Sequence, residues 1–519
     1  MNPRKLFQRC FPSINDFAFL APAILLFCLM GGVASMLVDA DTGWHIRAGE
    51  WILDHHRLPT SDFFSFTKPG QPWFAWEWIW EISFAWFYRL AGMAGVILAN
   101  VVIVCLTSIQ LFHLIRRRSK SGLVAMGVTV LALLGMSVYL LARPQLVSFL
   151  FAVILLRVLE RSREAGRDLP WIVVPGFIIW ANVHPGFMAG LIILAAYTIG
   201  DLANALVASE PGLRTELLGR FRRSLLVMVA CFLAPLINPY GYRLYAHIYS
   251  FLSDSYPLNH INEYKVVDFR TAPGRMFELM LFLSAPAAIS RLLKREFTST
   301  VLFLAWAHLA LTSQRNIPFF MIAMAAPVAC WIEEMVAAFS RTEAGNSIRD
   351  SAPGPQISPD ELAGEDGLTR IPVLSILTIV LIFVMLRTPG SPPKFRPEYD
   401  PSIYPAGALA AVRQMGPSTR MVTTDIWGGY LIYRLYPDVR VFWDGRADFY
   451  GTPYNLAAID ALMGRPGWDK TLANNRITAV LVPVNQPLAS LLAQTREWHV
   501  VYRDRIAILY QLSSAGKTS

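Results

Sequence analysis

Val38-Asp-Ala-Asp-Thr-Gly-Trp-His-Ile-Arg-Ala-Gly-Glu-Trp-Ile-Leu-Asp-His-His56 follows directly on the first long apolar run, Phe17 to Leu37. Two acids (Asp39, Asp41), a histidine (His45) and an arginine (Arg47) are thereby set at the mouth of a segment long enough to cross a bilayer. Ionisable groups in such a place are costly to keep unless they are paired or functional. The stretch therefore predicts a polar cluster walled in by the helices that follow. Basic residues Arg4, Lys5 and Arg9 before the first run put the N-terminus on the cytoplasmic side and the cluster on the outer face. The run lacks a small-residue cleavage site and reads as a retained span.

Composition agrees with a membrane protein. Of 519 residues 54% are hydrophobic and 16% charged, against about 25% charged in soluble proteins. The formal net charge of +9 comes from short basic clusters between apolar runs. That is the signature of topology, and it argues against a nucleic-acid partner. The five cysteines (Cys10, Cys28, Cys105, Cys231, Cys330) show no metal spacing and are assigned to packing.

After the opening stretch come a turn-rich segment, Leu58 to Pro72, and Trp73-Phe-Ala-Trp-Glu-Trp-Ile-Trp-Glu81. Clustered tryptophans suit the headgroup level, so residues 38–90 are expected to form an outer loop with two surface helices, near 43–56 and 75–89. Alternating basic clusters then predict about 11 spans. The expected organisation is a multi-span domain over 1–339, a flexible cytoplasmic linker over 340–370 and a last span over 371–387. An extracytoplasmic α/β domain over 388–519 follows, with β-type runs at 421–424, 439–443, 479–483, 499–502 and 506–510. Between Leu169–Trp180 and Phe187–Ile199, Ala181-Asn-Val-His-Pro-Gly186 either joins two short spans or breaks one segment at membrane depth.

Several residues carry candidate chemistry. A carboxylate at Asp39 or Asp41 suits a general base or a divalent-cation ligand. Asp41 also fits the N-cap of a surface helix, whereas Asp39 has no evident cap to make, which favours Asp39 as the catalytic carboxylate. His45, His55, His56, His184 and His260 all fall in outer loops, without a zinc-type spacing. His184 stands out because Pro-Gly follows it. Arg143 (Leu-Ala-Arg-Pro-Gln) and Arg315 (Ser-Gln-Arg-Asn-Ile-Pro) are single arginines on a face where topology does not demand them. They suit a phosphate clamp, or alternatively a salt bridge or snorkelling to headgroups. In the last domain, Gly428-Gly429 and the Asp444, Arg446 and Asp448 set read as a polar pocket or as an Asp-Gly turn with a structural ion pair.

These elements resemble the GT-C superfamily of membrane glycosyltransferases, which includes oligosaccharyltransferase catalytic subunits, protein mannosyltransferases and lipid A aminoarabinose transferases. Asp39 to Leu53, with the Arg-Pro-Gln, Trp-Ala-Asn-x-His, Asn-Pro-Tyr-Gly and Asp-Gly-Arg-Ala-Asp elements, is also similar over most of the chain to a group of bacterial polytopic membrane proteins. The resemblance implies a GT-C-like polytopic α-helical fold in the bacterial inner membrane. It also implies sugar transfer from a polyprenyl-phosphate-linked donor to an acceptor on the extracytoplasmic face. The acid after the first span, Asp39 and with it Asp41, would assist the acceptor or bind a divalent cation. His184 would assist, and His45, Arg47, Arg143, Arg315, Glu263 and Asp268 would line the substrate site. The turn between the third and fourth spans is too short for the second acidic motif of the superfamily, so its partner would be Glu263 or Asp268. Rival readings are a flippase or transporter for lipid-linked glycans, which predicts ionisable residues at mid-span, and a scaffold with a periplasmic binding domain. The sequence places few charges at mid-span, which favours the enzyme.

Overall fold

A computed structural model describes residues 11–341 and 371–513. The basic N-terminus, Cys10 and the linker from residue 342 lie outside the described residues. Helix α1 (Ile14–Ile24) opens on a capping box, with Asp16 accepting from the Ser13 amide at 3.0 Å. The same carboxylate accepts from Ser375 Oγ at 2.7 Å and so ties α1 to a helix near the far end of the chain. The first apolar run is not one helix, as its length suggested. It ends in a π turn (Leu25–Leu29), breaks at Gly31-Gly32 and adds one turn, Val33–Met36. Gly32 has φ +64°, and a Cβ there would overlap the Lys394 backbone, so the break is where the C-terminal segment crosses.

Helix α2 (Asp41–His55) and the start of α3 (Trp78–Arg118) stand where two helices were expected within residues 38–90. A kink at Ala91-Gly92, where Gly92 has φ +61°, separates that start from the rest of α3. The remaining apolar runs are all helical: α4 (Gly122–Met136), α5 (Gln145–Glu164), α6 (Val173–Val183), α7 (Phe187–Val207) and α8 (Pro211–Leu233). After α9 (Arg243–Ser253) come α10 (Ala272–Leu293), α11 (Phe297–Thr312), α12 (Ile317–Phe339) and α13 (Val373–Arg387). Among the described residues, five helices are long and apolar enough to cross a membrane, and four shorter ones are apolar. The chain is a polytopic α-helical membrane protein.

Beyond α13 lies a small four-stranded sheet of order β1-β2-β4-β3. β1 (Met421–Val422) runs parallel to β2 (Ala479–Pro483), while β3 (Trp498–Arg503) and β4 (Ala507–Leu512) are antiparallel. The run 439–443 does not join this sheet, contrary to its β-type composition. It pairs instead with the loop before α3, through a bridge between Ser65 and Val441. The apolar alternation was real, but its partner is the membrane domain's loop.

α2 lies against α3 and against α14 (Asp425–Leu435) with no room for side chains at two points. A Cβ on Gly49 would overlap the Glu81 carbonyl oxygen, and one on Gly43 would collide with Tyr433 Cβ. Gly49→Ala is expected to cost about 1–3 kcal/mol by forcing α2 off α3. A thermal-denaturation series in detergent checks this, with an unchanged midpoint as the contrary result.

Candidate active site

The segment after the Val33–Met36 turn, the start of α2, the α4–α5 turn, the α6–α7 break and the α11–α12 turn all meet at one place. Pro144 opens α5 and disfavours helical geometry for the residue before it, so Arg143 stands outside the helix. Its turn is pinned by Ala142, whose amide donates to Met36 O (2.9 Å) and whose carbonyl accepts from Thr42 Oγ1 (2.8 Å). Arg143 is thereby held between three carboxylates. Nη1 donates to Asp39 Oδ2 at 2.8 Å, Nη2 lies 2.8 Å from Asp41 Oδ2, and Nη1 is 3.8 Å from Glu263 Oε2. Glu263 also faces Arg315, 3.9 Å away, whose guanidinium lies over the Tyr264 ring. Ser313 and Gln314 donate to the carbonyls of Glu263 and Lys265 and fix that loop against the α11–α12 turn.

A second group adjoins the first. His45, one turn along α2 from Asp41, lies 3.6 Å from Glu77 and 3.7 Å from Glu81. His184 faces the other oxygen of Glu77 at 3.7 Å. Its backbone is extended, and its Nδ1 accepts from Gly186 N at 2.9 Å. Ser148 Oγ, which accepts from Trp180 Nε1, donates to the same nitrogen at 2.8 Å. His184 Nδ1 is thus an acceptor, and Nε2–H is turned toward Glu77.

Five carboxylates against two guanidiniums make the cluster acid-rich, and burial drives protons onto it. Asp41 is pushed up to about 7, first by burial and then by Asp39, against the pull of Arg143. Burial, reinforced by Glu81, raises Glu77 well above the usual carboxylate range. Burial would also raise Glu263, but Arg315 and Arg143 outweigh it and hold it low. Both imidazoles are kept neutral, His184 being lowered to about 3 by burial and then by Arg315 and Arg143. Burial, then Arg143 and His184, sends His45 the same way. Because folding raises Asp41, its contribution to stability is complete below 3.8 and is lost as pH rises through about 7.

The roles of the two opening aspartates at the helix start are exchanged. Asp39 Oδ1 accepts from the Asp41 amide (2.9 Å), whereas Asp41 lies inside α2 and accepts from Trp44 Nε1 (3.0 Å). Not every expected residue joins the cluster. Arg47 lies about 200° round α2 from His45 and donates to Tyr433 O (2.9 and 2.6 Å) and Glu50, so it docks α14. Asp268 is exposed and accepts from the Arg270 amide in a turn. His55 and His260 stack on Trp51 and Tyr256, and His56 is the left-handed cap of α2. In the C-terminal domain Asp444 and Arg446 form a structural ion pair with Asp62, while Asp448 faces His247 at 3.6 Å. Gly428 admits the Trp443 backbone rather than a ligand. Gly445, between the paired residues, packs on Asp41 Oδ1, so the C-terminal domain forms one wall of the cluster.

Glu77 and Glu81 were hidden in the tryptophan run. The usable signal was spacing: Asp41/His45 and Glu77/Glu81 are both i,i+4 pairs on helical faces. Among the described residues no set of three His, Cys, Asp or Glu is arranged to hold a metal ion. Around Asp39, Asp41 and Glu263 the cationic centre is the Arg143 guanidinium itself, and these residues do not fit a metal in this arrangement.

Solved structures place this architecture. The chain is similar to the archaeal oligosaccharyltransferase AglB from Archaeoglobus fulgidus in complex with an inhibitory peptide and a dolichol-phosphate. That match has a TM-score of 0.51 at 13% identity over 92% of this chain and 70% of that one. The Archaeoglobus fulgidus oligosaccharyltransferase tethered to an acceptor peptide with the NVT sequon gives 0.52 at 13% identity, over 91% and 68%. The chain shares the fold of these oligosaccharyltransferases. ArnT from Cupriavidus metallidurans in the apo state is similar over 95% of this chain and 96% of its own, with a TM-score of 0.45 and 14% identity. No family model matches the chain, and no curated protein matches it in sequence.

Proposed function

We propose that the protein is a membrane glycosyltransferase. It moves a sugar from a polyprenyl-phosphate-linked donor to an acceptor on the extracytoplasmic face of the bacterial inner membrane. Residues 1–339 and 371–387 form the membrane domain, and residues 388–519 lie outside the membrane as its lid. The observation that carries the reading is the convergence of Asp39, Asp41, Glu263, Arg143 and Arg315 with the Glu77 and histidine group at the ends of the GT-C helices. The solved relative's dolichol-phosphate is a polyprenyl-type phosphate, which agrees with such a donor.

Asp39 is the most exposed acid around Arg143, at 29% against 13% for Asp41 and 24% for Glu263. It therefore takes the acceptor's proton as the acceptor oxygen bonds to the sugar's anomeric carbon. The bond from that carbon to the phosphate oxygen breaks, and polyprenyl phosphate leaves with the electron pair. Arg143 and Arg315 stabilise the charge that grows on the leaving phosphate. Protonated Asp41 and Glu77 reduce the negative charge that competes for those guanidiniums. Unpartnered buried atoms (His45 Nδ1, Glu81 Oε2, Arg143 Nε) leave hydrogen-bonding capacity for substrate.

The test is release of polyprenyl phosphate from labelled polyprenyl-phosphate hexose and pentose donors by the full chain in proteoliposomes. Activity is expected to fall as pH rises through about 7, where Asp41 loses its proton. Asp41→Asn, which mimics the protonated form, is expected to stay active and to lack that alkaline fall. An inactive, folded Asp41→Asn protein, or one that keeps the fall, contradicts this assignment.

A further inference from the structure

A second polar site lies at the opposite end of the same helices. Seventeen residues of α5 beyond Arg143, roughly 25 Å along its axis, Glu160 and then Arg163 line a cavity of about 330 Å³. Its acids are internally matched. Glu160 accepts from Arg118 Nε (2.5 Å) and from the Tyr197 hydroxyl. Asp201 accepts from Arg163 Nη2 (2.7 Å) and Ser224 Oγ (3.3 Å), and Glu296 faces Arg118 and Arg291 at 3.6 and 3.7 Å. What remains unmatched is cationic. The side chains of Arg220 and Arg295, both on the cavity wall, have no hydrogen bond or ion pair among the described residues. Arg291 is paired with Glu334 through Nη2, but its Nε, in a residue 6% exposed, has no acceptor there. Leu114, Leu156 and Leu302 supply an apolar wall beside these donors.

We propose that this cavity binds a phosphate oxyanion, held by Arg220, Arg295 and Arg291. Guanidinium forks match phosphate oxygens in pairs, and a buried donor without an acceptor is completed by such a ligand. The leucine wall suits a phosphate carried by an acyl chain, and the same oxyanion is also available from solution. The site is separate from the acidic cluster and does not depend on the transferase reading.

The experiment uses the full chain released from detergent into native mass spectrometry, after titration with phosphatidic acid, inorganic phosphate or phosphatidylcholine. The proteins are wild type, Arg220→Gln/Arg295→Gln and Arg220→Gln alone. Arg220 is half-buried and Arg295 exposed, so the variants are expected to keep the fold, with the single change as a second case. One phosphate species bound by wild type is expected to weaken about tenfold or more in the double variant, the loss of one or two charge-assisted hydrogen bonds. Binding at the acidic cluster is common to all three proteins and cancels in the comparison. Loss of a phosphatidic acid adduct supports a lipid source, and loss of an inorganic phosphate adduct supports a soluble one. Equal binding by wild type and both variants, or phosphatidylcholine binding as tight as phosphatidic acid, overturns the proposal.

Discussion

Arg143→Gln is expected to lower stability by about 1–3 kcal/mol, the loss when half-buried charged groups are left without their hydrogen-bonding partner, and to abolish sugar transfer. The guanidinium lies 2.8 Å from both Asp39 and Asp41 and 3.8 Å from Glu263. Without it three carboxylates face one another, with Arg315 near only the third. Lysine restores the charge but not the two-pronged contact to Asp39 and Asp41, so Arg143→Lys recovers part of the stability and little activity. Above about pH 7, where Asp41 is ionised, adding Asp41→Asn to Arg143→Gln is expected to return some stability, because it removes one of the stranded charges. Denaturation midpoints of the four proteins in detergent provide the check. A midpoint for Arg143→Gln close to wild type contradicts the arrangement.

Arg446→Leu is expected to have a larger loss of stability, about 3–5 kcal/mol, with a different consequence. The side chains of Arg446, Asp62 and Asp444 are 2%, 0% and 0% exposed, so this ion pair is fully removed from water. Arg446 Nη1 donates to Asp62 at 2.9 Å and Nη2 to Asp444 at 2.7 Å, with Tyr450 donating to Asp444 at 2.9 Å. Its guanidinium also lies over Phe64 and Trp73, 5.1 and 4.8 Å from their centroids. Asp62, Phe64 and Trp73 belong to the loop before α3, whereas Asp444 and Arg446 belong to the C-terminal domain. The variant therefore strands two buried carboxylates at the seam between the parts. Proteolytic cleavage within residues 58–73 is expected to become fast while the transmembrane helices stay protected. Slow cleavage with a wild-type midpoint is the contrary result. Replacing Asp62, Asp444 and Arg446 together by apolar residues is expected to cost much less than Arg446→Leu alone, since no buried charge is left unpaired.

The helical skeleton was legible because lipid demands long apolar runs, and each such run before residue 388 is helical. The kink at Gly92, which separates the loop helix from the following span within α3, was not read from the sequence. Helix ends were less legible. Gly31-Gly32 interrupts the first run because Lys394 crosses there, a contact hundreds of residues away in sequence. Arg143 and Arg315 could be chosen as single arginines on a face where topology demands none, and His184 by the Pro-Gly after it, whereas Glu263 entered only through the family resemblance. Arg47 and Asp268 could not be separated from them by residue type. Only the turn of α2 and the fold of the loop after Asp268 decide what they face. Glu77 and Glu81 were obscured by four tryptophans whose affinity for the headgroup level explained the run without them. The ion pair at Asp444 and Arg446 was one of two readings of its motif. Its buried partner Asp62 lies almost four hundred residues earlier, beyond the reach of any local pattern.

The central claim is that the acid at the exit of the first apolar run, Asp39, performs chemistry. It is tested most directly by Asp39→Asn in proteoliposomes supplied with labelled polyprenyl-phosphate sugars, with polyprenyl phosphate release and thermal midpoint read on the same preparation. Loss of a general base is expected to slow release by about 10²–10⁴-fold while the midpoint stays near wild type. Release at the wild-type rate by a folded Asp39→Asn protein contradicts the account.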